Sequence, residues 1–574
     1  MLHTENINNS KYVKTAEENT IEPDRYSEYI MFSFGPTKAN RKRPDWVLII
    51  NQHECSCVKA VAAKLSPIIK TFLKNNPNAK NFECEINDCE IDRDLISMLF
   101  FGKEIQFSRN NVDLLTKIAK GLEMTELHRD LANYQEYLHF IEDNIDRSYE
   151  INELIQCEEI IFNFSPYAID ACITNSLKFL NPYNEDVFAR TLLSYCVARH
   201  YRIEQAVEFL VKLDKKLIQK NQNSIAAVFC NLVLREFKKE ISSDGQRYDE
   251  YRSILQELCF IIYQLMLKNL IDSNALQQDD LILPLFFAHL MTPEKIQLAQ
   301  KANIINKEDR YPSFTQIIKN VNIKDWTPAH LYNAGTGVNT FPMLLYIRQD
   351  NIEKFSQYAK TPQFKVDEKV LSNIYERCTF INDKPKLLEY AAFFGSKECF
   401  KFLLASGAEK TPGILRFAIC SGNSDIIKLC DSPICTLLGS LSLAVEYHHQ
   451  VVSEWLIEVK NQSCFDPIVI QNCLRFCNFH MLSYILKKGV NANLFLLEAV
   501  HYDNIPATKW LLEIKGINVN QQDTKRGFTP LHYAAQSGNI KIIGLLLGTN
   551  GIHINSRTVF NLMFHFGVLY HFFI

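Results

Sequence analysis

Two pairs of cysteines are the residues of this sequence whose type and spacing could hold a metal ion. Cys55 and Cys57 flank one serine, and Cys473 and Cys477 would lie one turn apart on a helix. Thiolates are good zinc ligands, but a structural zinc site takes four ligands, usually two closely spaced Cys or His pairs. Neither pair has a second pair at zinc-ligand spacing, and free cysteines are often buried as small apolar residues. The sequence therefore predicts no metal site.

The motifs of common catalytic and cofactor sites are also missing from the sequence. It contains no P-loop lysine, no His-Glu-x-x-His, no Gly-x-Ser-x-Gly and no kinase motif set. Gly335 and Gly337 lack the rest of a dinucleotide-binding fingerprint, which indicates a loop. His448 and His449 are predicted to be a surface or cap pair at the end of a helix. We therefore predict no catalytic residue, no cofactor and no metal.

The stretch 527–538 predicts a short helix that ends at a tight turn. Thr529 and His532 can bond each other, and Pro530 suits a first helical turn because its missing N–H costs nothing there. Gly538 supplies the left-handed residue that ends such a helix. The apolar residues that follow predict a second helix.

The sequence Thr-Pro-Leu-His-x-Ala in a first helix, then a glycine and a second apolar helix, resembles an ankyrin repeat. The residues that define the resemblance are Thr529, Pro530, Leu531, His532, Ala534 and Gly538. One such unit cannot bury its own apolar face, so at least three must stack. The resemblance implies a solenoid that binds protein partners on its concave face.

A small residue recurs along the C-terminal part of the chain at the spacing of such a repeat. The recurring residues are Ala391, Ala418, Ala444, Cys473, Ala499 and Ala534, in steps of 27, 26, 29, 26 and 35. Twelve residues after each stands Leu403, Cys430, Leu456, Ile485, Leu511 or Leu546. Steps below the usual length of about 33 predict helix pairs without the extended finger. This style is similar to divergent ankyrin proteins of trichomonad-like protists. We predict repeats over 340–558, with 343–359 as a degenerate unit or a leading domain.

The N-terminal part of the chain predicts a separate α+β domain. A β-rich run begins after Asp45, a first long helix is followed by Ser66-Pro67, and an alternating strand leads to 85–88. The pattern continues with Phe100-Phe-Gly102 and a helix pair at 111–127. These pieces resemble the BTB (POZ) fold over residues 40–140, which implies self-association as a homodimer.

Two features depart from the BTB pattern. The family's buried His and Leu fall at Val58 and Ala62, which are apolar replacements that a core can absorb. BTB domains that recruit a cullin usually carry an apolar-x-Glu motif before the strand predicted at 82–86, whereas 74–81 contains no glutamate. Cullin recruitment is therefore doubtful, and dimerisation or docking stays open.

The remaining segments are less informative. Residues 141–330 show helical periodicity, clearest at 187–200 and 203–213, and predict a helical linker region that acts as a spacer. Residues 1–30 are polar and predict a disordered tail. Residues 559–574 form an atypical apolar tail, which indicates a truncated or misread gene end or a helix folded back over the last repeat.

The composition is that of a globular protein, with 47% hydrophobic and 22% charged residues. A net charge of −3 gives no footprint for general nucleic-acid binding. No signal peptide opens the sequence, and the most apolar runs, 258–267 and 281–291, are too short to span a membrane. We therefore expect a soluble, cytoplasmic protein, with a nuclear location left open and the 17 cysteines reduced.

The whole chain is predicted to be mainly α, with an α+β BTB-like N-terminal domain, a helical linker region and a C-terminal ankyrin-type α-solenoid. The predicted function is a non-catalytic interaction scaffold that self-associates through the N-terminal domain and binds a protein partner through the solenoid. The alternative is a substrate adaptor of a cullin-type ubiquitin ligase; an enzyme with an unrecognised site in the middle region is a third hypothesis. Candidate partner-binding residues, which would otherwise pack between repeats, are Tyr390, Phe393, Arg416, Glu446, Tyr447, Arg475, Glu498, Tyr502, Tyr533 and Gln536.

Overall fold

The structure, a computed structural model, describes most of the chain. The described residues are 31–32, 44–87, 91–103, 105–107, 109–132, 134–135, 138, 149–242, 254–272, 337, 341–371, 375–382, 384–514, 516–523 and 526–558. The predictions for 1–30, 273–330 and 559–574 lie outside them. The chain divides into two compact units, one mainly Met1–His139 and the other mainly Phe140–Ile514 and Val519–Ile574.

Short strands form the sheets of the N-terminal unit. They are β1 (Met31–Phe32), β2 (Trp46–Ile50), β3 (His53–Cys57), β4 (Asn81–Cys84) and β5 (Ile105–Gln106). One sheet has the order β3-β2-β4, and β1 pairs with β5. β2 and β3 form an antiparallel hairpin across Asn51 and Gln52, whose φ angles of 49° and 66° suit a type I′ turn. β4 runs parallel to β2, so the chain between β3 and β4 crosses over through helices.

The helices of this unit are α1 (Lys59–Leu65), α2 (Pro67–Asn75), α3 (Arg93–Phe100) and α4 (Arg109–Gly121). Ser66 caps α2, because its hydroxyl accepts from the Ile69 N–H at 3.2 Å and donates to the Leu122 carbonyl at 2.6 Å. Asp45 accepts from the Lys59 N–H at 2.8 Å. Asp45 and Ser66 therefore hold neighbouring elements together. A sheet this small does not establish a BTB fold, and that assignment stays a prediction.

Residues 149–272, which we call the helical region, belong to the second unit. Their helices are α5 (Tyr149–Phe162), α6 (Ile169–Phe179), α7 (Glu185–Ala198), α8 (Ile203–Gln219), α9 (Ile225–Ser242) and α10 (Leu255–Leu267). α7 contacts α5, α9 and α10, and every residue from Val187 to Ala198 is buried. A helix without an exposed stripe is one surrounded by other elements, so α7 is the centre of the helical region.

Residues 341–558, which we call the array, form stacked helix pairs. In the described part of the array, units 1 to 7 are α11 (Pro342–Arg348) with α12 (Ile352–Ala359), α13 (Leu387–Phe394) with α14 (Lys397–Ala405), α15 (Ile414–Ser421) with α16 (Ser424–Cys430), α17 (Ser440–Glu446) with α18 (Gln450–Glu458), α19 (Pro467–Arg475) with α20 (Phe479–Lys487), α21 (Ala492–His501) with α22 (Ile505–Glu513), and α23 (Pro530–Ser537) with α24 (Ile540–Leu547). Each first helix packs on the first helix of the next unit, as in a solenoid.

The recurring small residues lie where these first helices meet. Each has an exposed fraction of 0%: Ala391, Ala418, Ala444, Cys473, Ala499 and Ala534. A larger side chain there would push neighbouring helices apart. The predicted stack of helix pairs is confirmed, and residues 343–359 belong to a helix pair that packs on unit 2.

Unit 7 contains the local bonds that the sequence predicts. Thr529 Oγ1 lies 2.8 Å from Nδ1 of His532, and the Thr529 N–H donates to the same nitrogen at 3.1 Å. Pro530 stands in the first turn, and Gly538 ends α23 with a φ of 67°. These bonds fix the start and the end of a helix that is only eight residues long.

Candidate functional site

The helical region packs against one edge of the array. α5 contacts α20 and α22, and α7 contacts α22. The contacts gather at the turns between the first and second helices of the units. The sequence predicts a spacer here, whereas the structure shows that the helical region covers the edge formed by these turns.

A left-handed residue forms each of these turns, four positions after the recurring small residue. In units 2, 3 and 7 it is glycine, at Gly395, Gly422 and Gly538. In units 4, 5 and 6 it is His448, Cys477 and Asp503, with φ angles of 54°, 54° and 52°. A side chain in this conformation costs roughly 1–2 kcal/mol relative to glycine. In all three units the side chain lies against the helical region.

Both ring nitrogens of His448 lie within hydrogen-bond distance of an acceptor. Nδ1 lies 2.7 Å from a carboxylate oxygen of Glu158 in α5, and Nε2 lies 2.8 Å from the Phe476 carbonyl. The carboxylate and the carbonyl are both acceptors, so a protonated ring would donate to each of them. Phe162 stacks on this ring with 3.6 Å between ring centroids. His448 therefore places a basic side chain at the interface.

Glu158 also caps the start of α20. Its second oxygen accepts from the backbone N–H of Phe479 at 2.7 Å and from that of His480 at 3.0 Å. Burial opposes the ionisation of Glu158, but His448 and His480 outweigh it and lower the pKa of the carboxyl to about 2. An ionised carboxylate at a helix N-terminus is favourable because the exposed N–H groups point at it.

Asp503 and Cys477 continue the interface in units 6 and 5. The buried carboxylate of Asp503 forms an ion pair with Lys239 of α9. Burial opposes its ionisation, yet Lys239 and Arg190 lower its pKa below the ordinary value. Burial raises the pKa of the Cys477 thiol to about 11, against the opposing influence of Arg190 and Ser194. Cys477 is therefore a neutral thiol between a basic and an acidic residue.

Two arginines, one within α7 and one directly after it, donate to the ends of first helices. Arg190 donates to the Tyr502 carbonyl at 3.2 Å, and Arg199 donates to the Tyr447 carbonyl at 2.9 Å. Tyr502 and Tyr447 are the last residues before the left-handed turn, where carbonyls lack helical partners. A cation at a helix C-terminus satisfies such a group and complements the helix dipole.

Four of the ten candidate partner-binding residues are buried within the second unit: Tyr390, Phe393, Glu446 and Tyr447. The Tyr390 hydroxyl accepts from Arg348 Nε at 2.7 Å. Phe393 stacks on the His200 ring of the helical region, with 5.4 Å between ring centroids. These side chains contribute to packing and are covered from solvent. Arg416 is half-buried, with its guanidinium 5.6 Å from the centroid of the Phe380 ring.

Four other candidates line one cavity of about 770 Å³: Arg475, Glu498, Tyr502 and Tyr533. The opposite wall belongs to the helical region and includes Arg190, Glu236, Lys239, Glu240 and Ile254. The structure thus brings these four residues together, while Gln536 is exposed and lies outside the lining.

Pairs of residues hold the cavity wall in place. Arg475 forms an ion pair with Glu240 across the cavity wall, at 3.1 Å. The ring of His501 stacks on Tyr502 and on Tyr533, with 4.9 Å between the centroids in each case. The cavity therefore combines a charged pair with an aromatic stack, a composition typical of protein-binding surfaces.

The candidate metal ligands have structural roles. Among the described residues, no group of three or more His, Cys, Asp or Glu side chains could hold a metal ion. The cysteines within the described ranges are free thiols, most of them buried. His448 and His449 lie between α17 and α18, with His449 at the N-cap of α18, as a cap pair would; the His448 side chain is not at the surface but 3% exposed, because the helical region covers it. In the described part of the chain, no helix has the length and apolar character to cross a membrane.

No sequence pattern indicated the residues of the helical region that form this interface. They are Glu158, Arg190, Arg199 and Lys239, which belong to the region that the sequence predicts to be only a spacer. One sequence signal indicates their partners in the array: the glycine that ends the first helix of units 2, 3 and 7 is replaced in units 4, 5 and 6. A residue that accepts an unfavourable backbone conformation usually has a contact that compensates for it.

The fold and the site together define a helical-repeat protein with a covered edge and a mixed-charge cavity. Residues 470–558 match the family model described as ankyrin repeats (3 copies). A protein of Fowlpox virus (strain NVSL), whose name describes it as an ankyrin repeat protein, is 29% identical over 160 residues, which are 28% of this chain and 81% of the viral protein. The prediction of ankyrin repeats is confirmed for residues 470–558. Similarity to trichomonad-like proteins and the BTB domain stay predictions.

Proposed function

We propose that this protein is a non-catalytic interaction scaffold whose array binds a protein partner in the cavity. The ankyrin repeats over 470–558 support a role in protein–protein interaction. The observation that carries the proposal is the meeting of Arg475, Glu498, Tyr502 and Tyr533 around one cavity of about 770 Å³. Tyrosine and arginine side chains are enriched among the residues that dominate binding energy at protein interfaces.

The lining of the cavity favours a polypeptide over a uniformly charged ligand. Acidic and basic side chains face each other across it, as Glu240 and Arg475 do. Leu193, Ile254 and Phe465 add apolar surface. A cavity of this size accommodates a few side chains, so we propose that the partner inserts a short segment or a loop.

Affinity capture with the full chain tests this proposal. We expect Tyr502→Ala to reduce recovery of the specific partner by at least about thirtyfold, because a buried aromatic contact at an interface contributes about 2 kcal/mol or more. Gln536→Ala is the matched control, since Gln536 is exposed and outside the cavity. If correctly folded Tyr502→Ala recovers the same proteins in the same amounts, the cavity is not the partner site.

Self-association through residues 40–140 and a cytoplasmic location complete the proposal. Self-association is supported by the resemblance of the sequence to BTB domains. Light scattering after size exclusion should then give about twice the chain mass of 66.5 kDa. A mass of one chain at micromolar concentration would reject dimerisation. The alternative, a cullin adaptor, requires a cullin to co-purify with the full chain.

A further inference from the structure

At the left-handed position between their two helices, units 4, 5 and 6 carry a side chain, whereas units 2, 3 and 7 carry glycine. Unit 1 also carries a side chain there, that of Asp350, with a φ of 49°. The residues of units 4, 5 and 6 are His448, Cys477 and Asp503, all left-handed. Glycine would adopt this conformation without cost, so each side chain weakens its own turn. A compensating role must lie in what the side chain contacts.

Each of the three side chains meets a matching group on the helical region, which for Cys477 is the hydroxyl of Ser194 in α7. His448, a basic residue, meets the carboxylate of Glu158 at 2.7 Å. Asp503, negatively charged, meets the ammonium group of Lys239. Along the array the order is therefore basic, neutral and acidic, and along the helical region it is acidic, neutral and basic.

This order fixes the register between the two surfaces. The carbonyls that accept from Arg190 and Arg199 are present at the end of every first helix, so they attract the helical region without specifying a unit. A shift by two units would instead bring Glu158 to Asp503. Two carboxylates facing each other in a buried interface repel, and such repulsion gives specificity against the wrong register.

We infer that His448, Cys477 and Asp503 form a recognition strip by which the array selects the helical region of its own chain as a resident ligand. The partner that this strip fits is a helical surface presenting an acid, a neutral residue and a base in that order. The inference does not depend on the proposed function, because it concerns the covered edge and not the occupant of the cavity.

Thiol labelling of the full chain tests the strip. Cys157 in α5 and Cys477 are both buried, and opening of the interface would expose them. In His448→Gly and in Asp503→Gly we expect their alkylation, mapped by peptide mass spectrometry, to rise by roughly tenfold, because each substitution removes a charge-assisted contact. Asn461→Gly is the matched control, since Asn461 is a left-handed, exposed residue of the array with a φ of 53°.

Two further cysteines report on the array itself. Cys399 and Cys430 are buried in units 2 and 3, and their labelling should stay unchanged. If they react as fast as Cys157 in the glycine variants, the strip holds the fold of the array and the inference is overturned. Unchanged labelling of Cys157 and Cys477 overturns it as well.

A charge exchange provides the second test. Asp503→Lys alone should increase the labelling of Cys157, and adding Lys239→Asp should restore protection, because the pair is re-formed with opposite polarity. A residue that merely fills space would not be rescued in this way. Failure of the double variant to recover protection would reject recognition by charge.

Discussion

Arg377 of the array holds Glu204 of the helical region with both arms of its guanidinium. One nitrogen lies 2.8 Å from Oε2 of the carboxylate, and the other bonds Oε1. The first nitrogen also donates to the His200 carbonyl at 3.2 Å. The Arg377 side chain is 6% exposed and the Glu204 side chain 32% exposed, so water reaches the pair mainly from the carboxylate side. This pair anchors the helical region ahead of unit 2.

Replacement of Arg377 should loosen this end of the interface. Arg377→Ala removes three charge-assisted bonds from a buried site, and we expect a loss of about 3 kcal/mol in local stability. Hydrogen–deuterium exchange of peptides that cover 200–210 measures it. Arg129→Ala is the control, because the Arg129 side chain is 70% exposed and a surface pair contributes little. Equal exchange in the two variants would contradict the expectation.

The interface around Glu158 should be most protected at mildly acidic pH. The lowered pKa of Glu158, about 2 against an ordinary 4.5, gives a stabilisation that is present above pH 4.5 and is lost as pH falls towards 2. The hydrogen bond to Glu158 raises the pKa of His480 above its ordinary 6.5, so its contribution is present below pH 6.5 and is lost as pH rises through the raised value. Glu159 also faces His480, at 3.4 Å.

Exchange protection of peptides from α5, corrected for the intrinsic rate, should therefore be highest between pH 4.5 and 6.5. Glu158→Gln should flatten the profile, because it removes the shared carboxylate. A wild-type profile that rises steadily from acid to alkaline pH would show that this cluster does not govern the interface.

Gly422 should tolerate no side chain. Its φ is 67°, and an added Cβ would stand 2.3 Å from the His449 ring. We expect Gly422→Ala to cost about 2–3 kcal/mol, from backbone strain and overpacking together. Gly413→Ala, at a position with negative φ and no atom within 4 Å, should change stability by less than about 1 kcal/mol. Urea midpoints for the two variants compare them, and similar midpoints would refute the argument.

Ala444 should be similarly sensitive to size. It lies fully buried between first helices, so Ala444→Leu inserts three carbons into a filled space and should destabilise the array by about 1–3 kcal/mol. Ala227→Leu, on an exposed helical position of α9, is the control. Exchange rates of the peptides from α15 and α17 report the effect, and no difference between the variants would mean that the array can expand there.

The repeat itself could be predicted from sequence because its cause is local. Thr529, Pro530 and Gly538 act within one turn of chain, and the recurring Ala391 to Ala534 series follows from the close approach of neighbouring helices. Such local constraints require a particular residue type at a fixed position in each unit. Their spacing is therefore visible without a structure.

The candidate site could be predicted only in part, since its cause is contact between distant segments. Tyr447 and Tyr502 occupy equivalent positions in units 4 and 6, yet one is buried and the other lines the cavity. Periodicity gives both the same environment. The position of the helical region accounts for this difference. The sequence of its helices shows which residues are apolar, but not which surface of the array those residues cover.

The helical region touches the array from Phe393 in unit 2 to Lys541 in unit 7, which bonds Asp186 at 2.8 Å. In a free solenoid each unit contacts only its neighbours, so local unfolding can spread inward from either end. Here the helical region contacts units of the array that do not contact each other. Unfolding of one part of the array must then also break its contacts with the helical region. We therefore expect the units to unfold together instead of one after another.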